Sequence, residues 1–304
     1  MKVIFRIKLT TLAFCLLVIP CTLLHSQNAG RVDPLPVDSG YVIVDGGKLF
    51  YEIAGKGPDI VLIHDGMVHR VIWDEQFQWL AKNYRVIRYD RRAFGKSTDP
   101  QAEYSQLDDL YQVFTQLKIN NAIIFGMSAG GGLSIDFTLK YPEKVRGLVL
   151  VGAVVGGFSY SAHMGTRGGH MPPRSVWSDN EQLVRYFVME DPYEIHKENV
   201  AAKERVLKMV MPYNKTDRGG GIPIRRPERT ALNILNEIKI PVLVLVGEFD
   251  IPDVHAHSGA ITAGINGAAR KIIPGSGHLI PIEQPKLFNE AVYDYLKWFD
   301  PTIK

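Results

Sequence analysis

Cysteine is almost absent from this sequence, and the positions of the two that occur restrict its chemistry. Cys15 and Cys21 are the only cysteines among 304 residues, and both lie in an N-terminal segment that differs from the rest. Without that segment the chain has no thiol, which excludes a disulfide framework and a cysteine nucleophile. The chain also lacks an excess of either charge, with 35 basic and 32 acidic residues. It therefore offers no electrostatic footprint for nucleic acid.

Residues 1–26 have the pattern of a secretory signal peptide. Three basic residues come before an apolar run that spans 9–24, and they are Lys2, Arg6 and Lys8. The run is slightly short for a membrane span and Pro20 interrupts it, so we expect no stable membrane insertion after cleavage. Pro20 also makes Cys21 a poor site for lipoprotein processing. The segment thus predicts a periplasmic or secreted protein, with a lipid anchor at Cys21 as the less favoured alternative.

The run 126–130 reads Gly-Met-Ser-Ala-Gly and is the most informative stretch of the chain. Before it, the mostly apolar residues 121–125 predict a buried strand, and after it residues 131–142 predict a helix that ends at a proline. A Gly-x-Ser-x-Gly pattern between a strand and a helix puts the serine on a tight turn with its Oγ exposed. Ser128 is therefore the candidate nucleophile.

A serine nucleophile needs a base and a carboxylate that orients the base. The apolar run 240–246 predicts a strand buried on both faces, and Asp250 follows its end, where open α/β sheets place their sites. His278 lies in a glycine-rich loop after a further short strand, from which it can reach the serine. Asp253 is the alternative acid, but it lies further from the strand end. The preceding strand, 145–151, ends without a carboxylate, which favours Asp250.

The chain order Ser128, Asp250, His278 and four further motifs resemble the α/β-hydrolase superfamily over residues 41–299. In chain order the further motifs are His64-Asp65-Gly66, Trp73, the loop from Tyr89 to Ser97, and the terminal stretch from His278 to Phe288. Each motif alone is weak, but their common order is specific. The resemblance implies an α/β fold with a mostly parallel, eight-stranded twisted sheet, helices on both faces and a helical lid insertion.

The resemblance also implies an oxyanion hole built from the backbone N–H groups of Gly66 and Ala129. Asp65 departs from the family pattern, because a glycine is usual at this position. A carboxylate that faced the pocket would oppose the oxyanion charge or bind a cationic group. It could instead turn away and pair with Arg91 or Arg92. The sequence leaves both orientations open.

Methionines beside these two turns are candidates for the substrate pocket, since their adaptable side chains suit an apolar group. Met67 flanks the oxyanion turn and Met127 precedes the nucleophile, with core packing as the competing interpretation for each. His255 and His257 are spaced like a metal pair but lack a third ligand nearby, so we predict no metal site. We interpret His64 as a structural support of the oxyanion turn, and we expect no cofactor.

Apolar strands that alternate with helical stretches also predict a mostly parallel sheet with helices on both faces. Residues 27–40 are expected to form a lead-in linker, and residues 41–304 a single α/β-hydrolase domain. Between about 156 and 236, glycine and proline cluster around helical stretches at 180–189 and 193–209. This insertion falls where the family carries its lid.

The combined pattern predicts a serine hydrolase that cleaves a small carboxylic ester or lactone through an acyl-enzyme on Ser128. An aspartate nucleophile is excluded because position 128 is serine. Aminopeptidase, C–C hydrolase and haloperoxidase-like activities use a similar triad and stay open. A catalytically silent small-molecule-binding protein of the same fold is the alternative from another class. The expected partner is a small-molecule substrate, and the oligomeric state is left open.

Overall fold

Eight strands form a single sheet in the computed structural model, which describes residues 34–213 and 222–300. The strands are β1 (Val37–Val44), β2 (Gly47–Ala54), β3 (Asp59–Ile63), β4 (Arg85–Tyr89), β5 (Ala122–Met127), β6 (Val145–Val151), β7 (Val242–Gly247) and β8 (Ala269–Ile273). Their order across the sheet is β1-β2-β4-β3-β5-β6-β7-β8. The predicted eight-stranded α/β fold is confirmed.

Most neighbouring strands in this sheet run parallel. β1 and β2 form an antiparallel hairpin and β2 pairs antiparallel with β4, whereas every later pair is parallel. All residues of β5 and of β7 are buried. A parallel strand covered on both faces needs apolar side chains throughout, which explains the continuous apolar runs in the sequence.

Helices pack on both faces of the sheet. They are α1 (Asp74–Leu80), α2 (Gln106–Gln116), α3 (Ala129–Lys140), α4 (Ala162–Thr166), α5 (Asn180–Met189), α6 (Val200–Val210), α7 (Pro252–Gly264), α8 (Ile280–Glu283) and α9 (Pro285–Phe299). β5 joins the two hydrophobic cores that result, because Phe125 packs with residues of α1 and α9, and Ile124 with residues of α2 and α3. Within the described ranges, the helices are too short or too polar to cross a membrane.

The first strand starts earlier than the sequence suggested. Residues 37–40, which we expected in the lead-in linker, pair with β2, and Val37 lies opposite Ala54. The predicted linker is therefore too long. Residues 37–40 have little apolar content, but they are held as a strand by hydrogen bonds to β2. The predicted signal peptide and residues 27–33 lie outside the described residues.

Between β6 and β7 the chain leaves the sheet and forms α4, α5 and α6. The predicted helix 193–209 is shorter than expected, since α6 begins at Val200. There the Asn199 side chain caps the helix by accepting the N–H of Ala202 at 3.2 Å. Residues 193–196 instead run along the loop after β8, and the carbonyl groups of Tyr193 and Glu194 accept hydrogen bonds from it. This segment therefore forms part of the wall around the candidate site.

Candidate active site

The three candidate catalytic residues lie at one edge of the sheet. Ser128 directly follows β5, Asp250 lies in the loop after β7, and His278 lies in the loop after β8. The carboxyl ends of parallel strands share one edge of a sheet, so residues far apart in the sequence can meet there.

Ser128 occupies a strained turn between β5 and α3. Its backbone has φ 52° and ψ −117°, a conformation that costs a non-glycine residue on the order of 1–3 kcal/mol. The flanking glycines leave no room for side chains. A Cβ on Gly126 would overlap the Ser134 hydroxyl, and a Cβ on Gly130 would overlap the carbonyl oxygen of His64. Both glycines of the motif are therefore steric requirements of the turn.

His278 and Asp250 form a direct hydrogen bond. Nδ1 of His278 lies 2.8 Å from Oδ2 of Asp250, and both residues are buried. The other carboxylate oxygen of Asp250 accepts the N–H of Ile251 at 2.8 Å, which fixes its orientation. Asp253 instead accepts the N–H and the hydroxyl of Ser161 at 2.6 and 2.7 Å. The alternative acid is thus engaged with the insertion and not with His278.

Carboxylates dominate the electrostatic environment of His278. Burial would by itself lower the pKa of His278, but the Asp250 carboxylate, together with Glu194 and Asp65, outweighs it and raises the pKa to about 10. A base accepts a proton only in its neutral form. The neutral imidazole is therefore favoured towards alkaline pH.

Two cavities meet at Ser128 and His278. The larger has a volume of about 350 Å³, and its wall includes Asp65, Gly66, Met67, Leu183, Val184 and Phe187. The smaller has a volume of about 140 Å³, and its wall includes Ala129, Val154, Tyr160, Met164, Ile251 and Val254. A substrate at the serine therefore has mostly apolar space on two sides.

The insertion contributes two charged residues that sequence reasoning missed. Arg167 and Glu194 line both cavities, and their side chains pair at 3.1 Å. Arg167 also pairs with Asp191, which is fully buried and accepts the N–H of Tyr193 at 2.8 Å. No local pattern marks these residues, because the pairs form only after the insertion folds over the sheet edge.

Gly66 and Ala129, the predicted oxyanion residues, both border the space at Ser128. Gly66 lines the larger cavity and Ala129 the smaller one. Ala129 is the first residue of α3, so its N–H has no acceptor within the helix. Gly130, in the first turn of α3, lies so close to the carbonyl oxygen of His64 that a Cβ there would overlap it. The start of α3 therefore packs directly on the turn that leads to Gly66.

Asp65 is one of the residues that line the larger cavity. Its Oδ1 accepts the N–H of Val68 at 2.8 Å. The guanidinium of Arg91 donates to the backbone carbonyl of Asp65, and that of Arg92 binds both carboxylate oxygens of Asp109 at 2.7 Å. Burial raises the pKa of Asp65. The pairing of this carboxylate with Arg91 or Arg92, one of the two possibilities that the sequence left open, is therefore not present in the part of the chain that the structure describes; the carboxylate instead helps to raise the pKa of His278.

His64 joins the oxyanion turn to the loop after β4. Its Nδ1 lies 2.8 Å from the carbonyl oxygen of Asp65, and its Nε2 accepts the N–H of Arg91 at 2.9 Å. His257, from the His-x-His pair, accepts the N–H of Val155 at 3.0 Å. Across the described ranges, no group of three or more His, Cys, Asp or Glu residues could hold a metal ion.

The two methionines proposed for the pocket have different surroundings. Met67 lines the larger cavity. Met127 is fully buried in a hydrophobic core, and the pocket prediction for it is wrong. Met127 is the last residue of β5 and shares its face with Phe125, because side chains two apart in a strand point the same way. That face of β5 packs in the hydrophobic core that also contains residues of α1 and α9.

Known proteins provide an independent comparison. Carboxylesterase YbfK of Bacillus subtilis is 24% identical over 291 residues, which cover 86% of this chain and 89% of that protein. The 2-hydroxy-6-oxo-6-(2'-aminophenyl)hexa-2,4-dienoic acid hydrolase of Metapseudomonas resinovorans is 26% identical over 273 residues, which cover 84% and 90%. The solved esterase from Exiguobacterium antarcticum has a TM-score of 0.72 at 22% identity, over 86% of this chain and 100% of its own.

A family model matches the same part of the chain. The match spans residues 60–291 and therefore includes Ser128, Asp250 and His278. It also includes β3 to β8, which form the parallel part of the sheet. The chain belongs to the alpha/beta hydrolase family.

Proposed function

We propose that this protein cleaves a small carboxylic ester or lactone through an acyl-enzyme on Ser128. The proposal depends chiefly on one observation: the buried His278–Asp250 hydrogen bond of 2.8 Å lies beside the strained Ser128 turn, where two cavities meet. A silent binding protein of this fold would need neither the base nor the acid. The presence of Ser128, His278 and Asp250 together therefore favours catalysis over binding alone.

The arrangement supports a two-step mechanism. The Ser128 Oγ attacks the substrate carbonyl carbon while neutral His278 accepts the hydroxyl proton. Asp250 holds the Nδ1–H of the imidazole and stabilises the imidazolium that forms. The N–H groups of Gly66 and Ala129 stabilise the oxyanion. The imidazolium then protonates the leaving oxygen, and a water activated by the same base hydrolyses the acyl-enzyme.

The cavities limit the size of the substrate. An apolar cavity of about 150 Å³ holds a benzene molecule, so the smaller cavity, at about 140 Å³, accepts a group of that size at most. The larger cavity, at about 350 Å³, takes the bulkier part. A small asymmetric ester or a lactone fits this pair of spaces.

A second candidate function is the hydrolysis of aminoacyl esters or amides. It is supported by the buried carboxylate of Asp65 and by Glu194 in the wall of the larger cavity, where a substrate ammonium group would find opposite charge. Arg167 neutralises Glu194 only in part, because it also pairs with Asp191. C–C hydrolysis and haloperoxidase-like activity have no comparable contact in their favour.

The direct test is covalent labelling followed by a substrate screen. A fluorophosphonate probe should label the wild-type protein, and Ser128→Ala should abolish the label. Wild-type protein that has not been exposed to the probe should then be assayed with p-nitrophenyl esters of graded chain length, lactones and aminoacyl amides. Turnover of short esters or lactones would support the proposal. A folded wild-type protein that neither takes the label nor hydrolyses any ester or lactone would contradict it.

Removal of one oxyanion donor should lower the rate without removing the nucleophile. Ala129→Pro eliminates the N–H, and we expect kcat to fall by about 10²- to 10³-fold, the usual cost of such a donor. Proline is tolerated at the first position of a helix, so α3 should persist. A proline also restricts the backbone of the residue before it, so any strain passed to Ser128 would add to the loss of kcat. Ala129→Gly keeps the N–H and is the matched control, with an expected change of less than about threefold. Circular dichroism should verify the fold of both variants. A folded proline variant with near-normal kcat would remove Ala129 from the oxyanion hole.

Neutralising Asp65 should change the pH profile. Its negative charge helps to hold the pKa of His278 high, so Asp65→Asn should lower that pKa. The acid limb of kcat/KM reports the base in the free enzyme. We therefore expect the limb to move to lower pH in the variant. An unmoved limb would mean that this carboxylate is not charged near His278.

Asp65→Asn should also separate the two candidate functions. The alanine and the propionate p-nitrophenyl esters have nearly the same size and differ in the ammonium group. If the second candidate is correct, KM for the alanine ester should rise by about three- to tenfold, while KM for the propionate ester changes little. Equal effects on both esters would show that Asp65 does not recognise the ammonium group.

A further inference from the structure

The loop that carries His278 is held by a buried carboxylate from the following helix. Glu283 is the last residue of α8 and is 7% exposed. Its Oε2 accepts the N–H of Gly277 at 2.8 Å, directly before His278 in the chain. Its Oε1 accepts the N–H of His196, in the insertion, at 2.7 Å. One side chain thus joins the base loop to the insertion.

The same two segments are joined by their backbones. The N–H of His278 donates to the carbonyl of Tyr193 at 2.8 Å, and the N–H of Leu279 donates to the carbonyl of Glu194 at 3.1 Å. A Cβ on Gly277 would lie 2.5 Å from the Tyr193 carbonyl, so the segments approach each other closely. The base loop and segment 193–196 thus form a short ladder of backbone hydrogen bonds, and the Glu283 carboxylate adds one further hydrogen bond to each segment.

The insertion side of this ladder also reaches the loop of the acid. The His196 ring stacks on Phe249, with ring centroids 4.3 Å apart and planes 24° from parallel. Phe249 directly precedes Asp250, and its N–H donates to the carbonyl of Ser276 at 2.9 Å. Movement of segment 193–196 would therefore disturb both residues of the His278–Asp250 pair.

We propose that Glu283 is a positioning residue for the base His278, because its carboxylate bridges the base loop and segment 193–196 of the insertion. This inference rests on the proposed function, in which His278 acts on Ser128. Glu283 itself lines neither of the two cavities at Ser128. Its effect on the reaction is exerted through the placement of the imidazole.

Two acceptors are needed at position 283, and this requirement selects a glutamate. The N–H groups of Gly277 and His196 both point at the carboxylate, one at each oxygen. A glutamine offers one acceptor oxygen and turns its NH₂ group towards the second donor. An aspartate keeps both oxygens, but it is one methylene shorter and cannot span the same distance. Each substitution thus weakens the bridge in a different way.

The test compares Glu283→Gln with a matched change at a second carboxylate that accepts a hydrogen bond from the base loop. Glu248 accepts the N–H of Gly275 at 2.9 Å, but it is exposed and does not reach the insertion. With p-nitrophenyl acetate, we expect Glu283→Gln to lower kcat by about 10- to 100-fold with KM within about threefold, since small displacements of a base cost this much. Glu248→Gln should lower kcat by less than about threefold. Glu283→Asp should fall between the two.

A second measurement reports the position of the base directly. The proton in the His278–Asp250 hydrogen bond should give a far-downfield NMR signal in the wild type, and Glu283→Gln should shift or broaden it. The rate of fluorophosphonate labelling should fall in parallel with kcat. If thermal unfolding shows Glu283→Gln to be unfolded at the assay temperature, Glu283→Asp at lower temperature decides the question with the same readouts.

The outcomes separate this inference from the proposed function. If the wild-type protein is not labelled at all, the proposed function fails. If the wild type is labelled, and Glu283→Gln is folded with an unchanged kcat, labelling rate and NMR signal, only the positioning role fails. Equal losses of kcat in Glu283→Gln and Glu248→Gln would also overturn it, because loop stability alone would then account for the effect.

Discussion

Ser128→Ala is expected to lower kcat by about four to six orders of magnitude, the largest effect of any single substitution considered for this protein. The hydroxyl is the nucleophile of the proposed acyl-enzyme, and no other residue in the cavities can replace it at that position. The turn itself should persist, since the steric requirements at Gly126 and Gly130 are unchanged. The measurement is steady-state hydrolysis of the best ester from the screen, with circular dichroism as the check on folding.

His278→Ala serves as the companion variant. A base and its nucleophile act as a unit, so its loss of kcat should be similar, and the double variant should be little worse than either single one. Residual activity comes from substrate binding and the oxyanion hole. If Ser128→Ala keeps more than about a tenth of the wild-type kcat while folded, another group performs the attack and the acyl-enzyme on Ser128 is wrong.

Asp250→Asn is expected to lower kcat by about 10⁴-fold, the effect that loss of the orienting carboxylate has in a serine protease triad. The Asp250 carboxylate receives the Nδ1–H of His278 at 2.8 Å. An asparagine can present its NH₂ group there and favour the other tautomer, which leaves Nε2 protonated and unable to accept a proton. The loss should appear in kcat with the protein fully folded.

Asp253→Asn is the control that the chain itself supplies. Asp253 lies three residues further on and is also buried, but its carboxylate holds Ser161 at the start of α4. We expect a loss of about 1–3 kcal/mol in the free energy of unfolding and a change in kcat of less than about tenfold. Near-normal activity in Asp250→Asn with loss of activity in Asp253→Asn would reverse the assignment of the acid.

Local requirements made part of this protein predictable. The strand Val145–Val151 has the bounds that its apolar run suggested, because a parallel strand covered on both faces tolerates few polar residues. The turn at Ser128 could be recognised because its two glycines are steric necessities. Candidates for the acid and the base could be chosen because each follows a strand at the same edge of the sheet.

Predictions failed where a distant neighbour determines the conformation. Residues 37–40 have little apolar content, yet they pair along β2. Residues 193–196 could continue a helix by composition, but the carbonyl groups of Tyr193 and Glu194 accept hydrogen bonds from the base loop instead. By residue type, Met127 fits a pocket or a core equally well. Its position in β5 puts its side chain on the same face as Phe125, which lies in the core.

The sequence by itself determined the parts that depend on neighbours along the chain: the buried strands, the serine turn and the order of the three candidate residues. The signal peptide at residues 1–26 stays a prediction from the sequence. Only the tertiary structure decided that Asp65, Arg167 and Glu194 line the larger cavity, and that Glu283 bridges the base loop and the insertion. The last of these contacts joins residues 87 positions apart. A buried charge takes the partners that the folded chain places within hydrogen-bond reach, and sequence spacing does not encode that proximity.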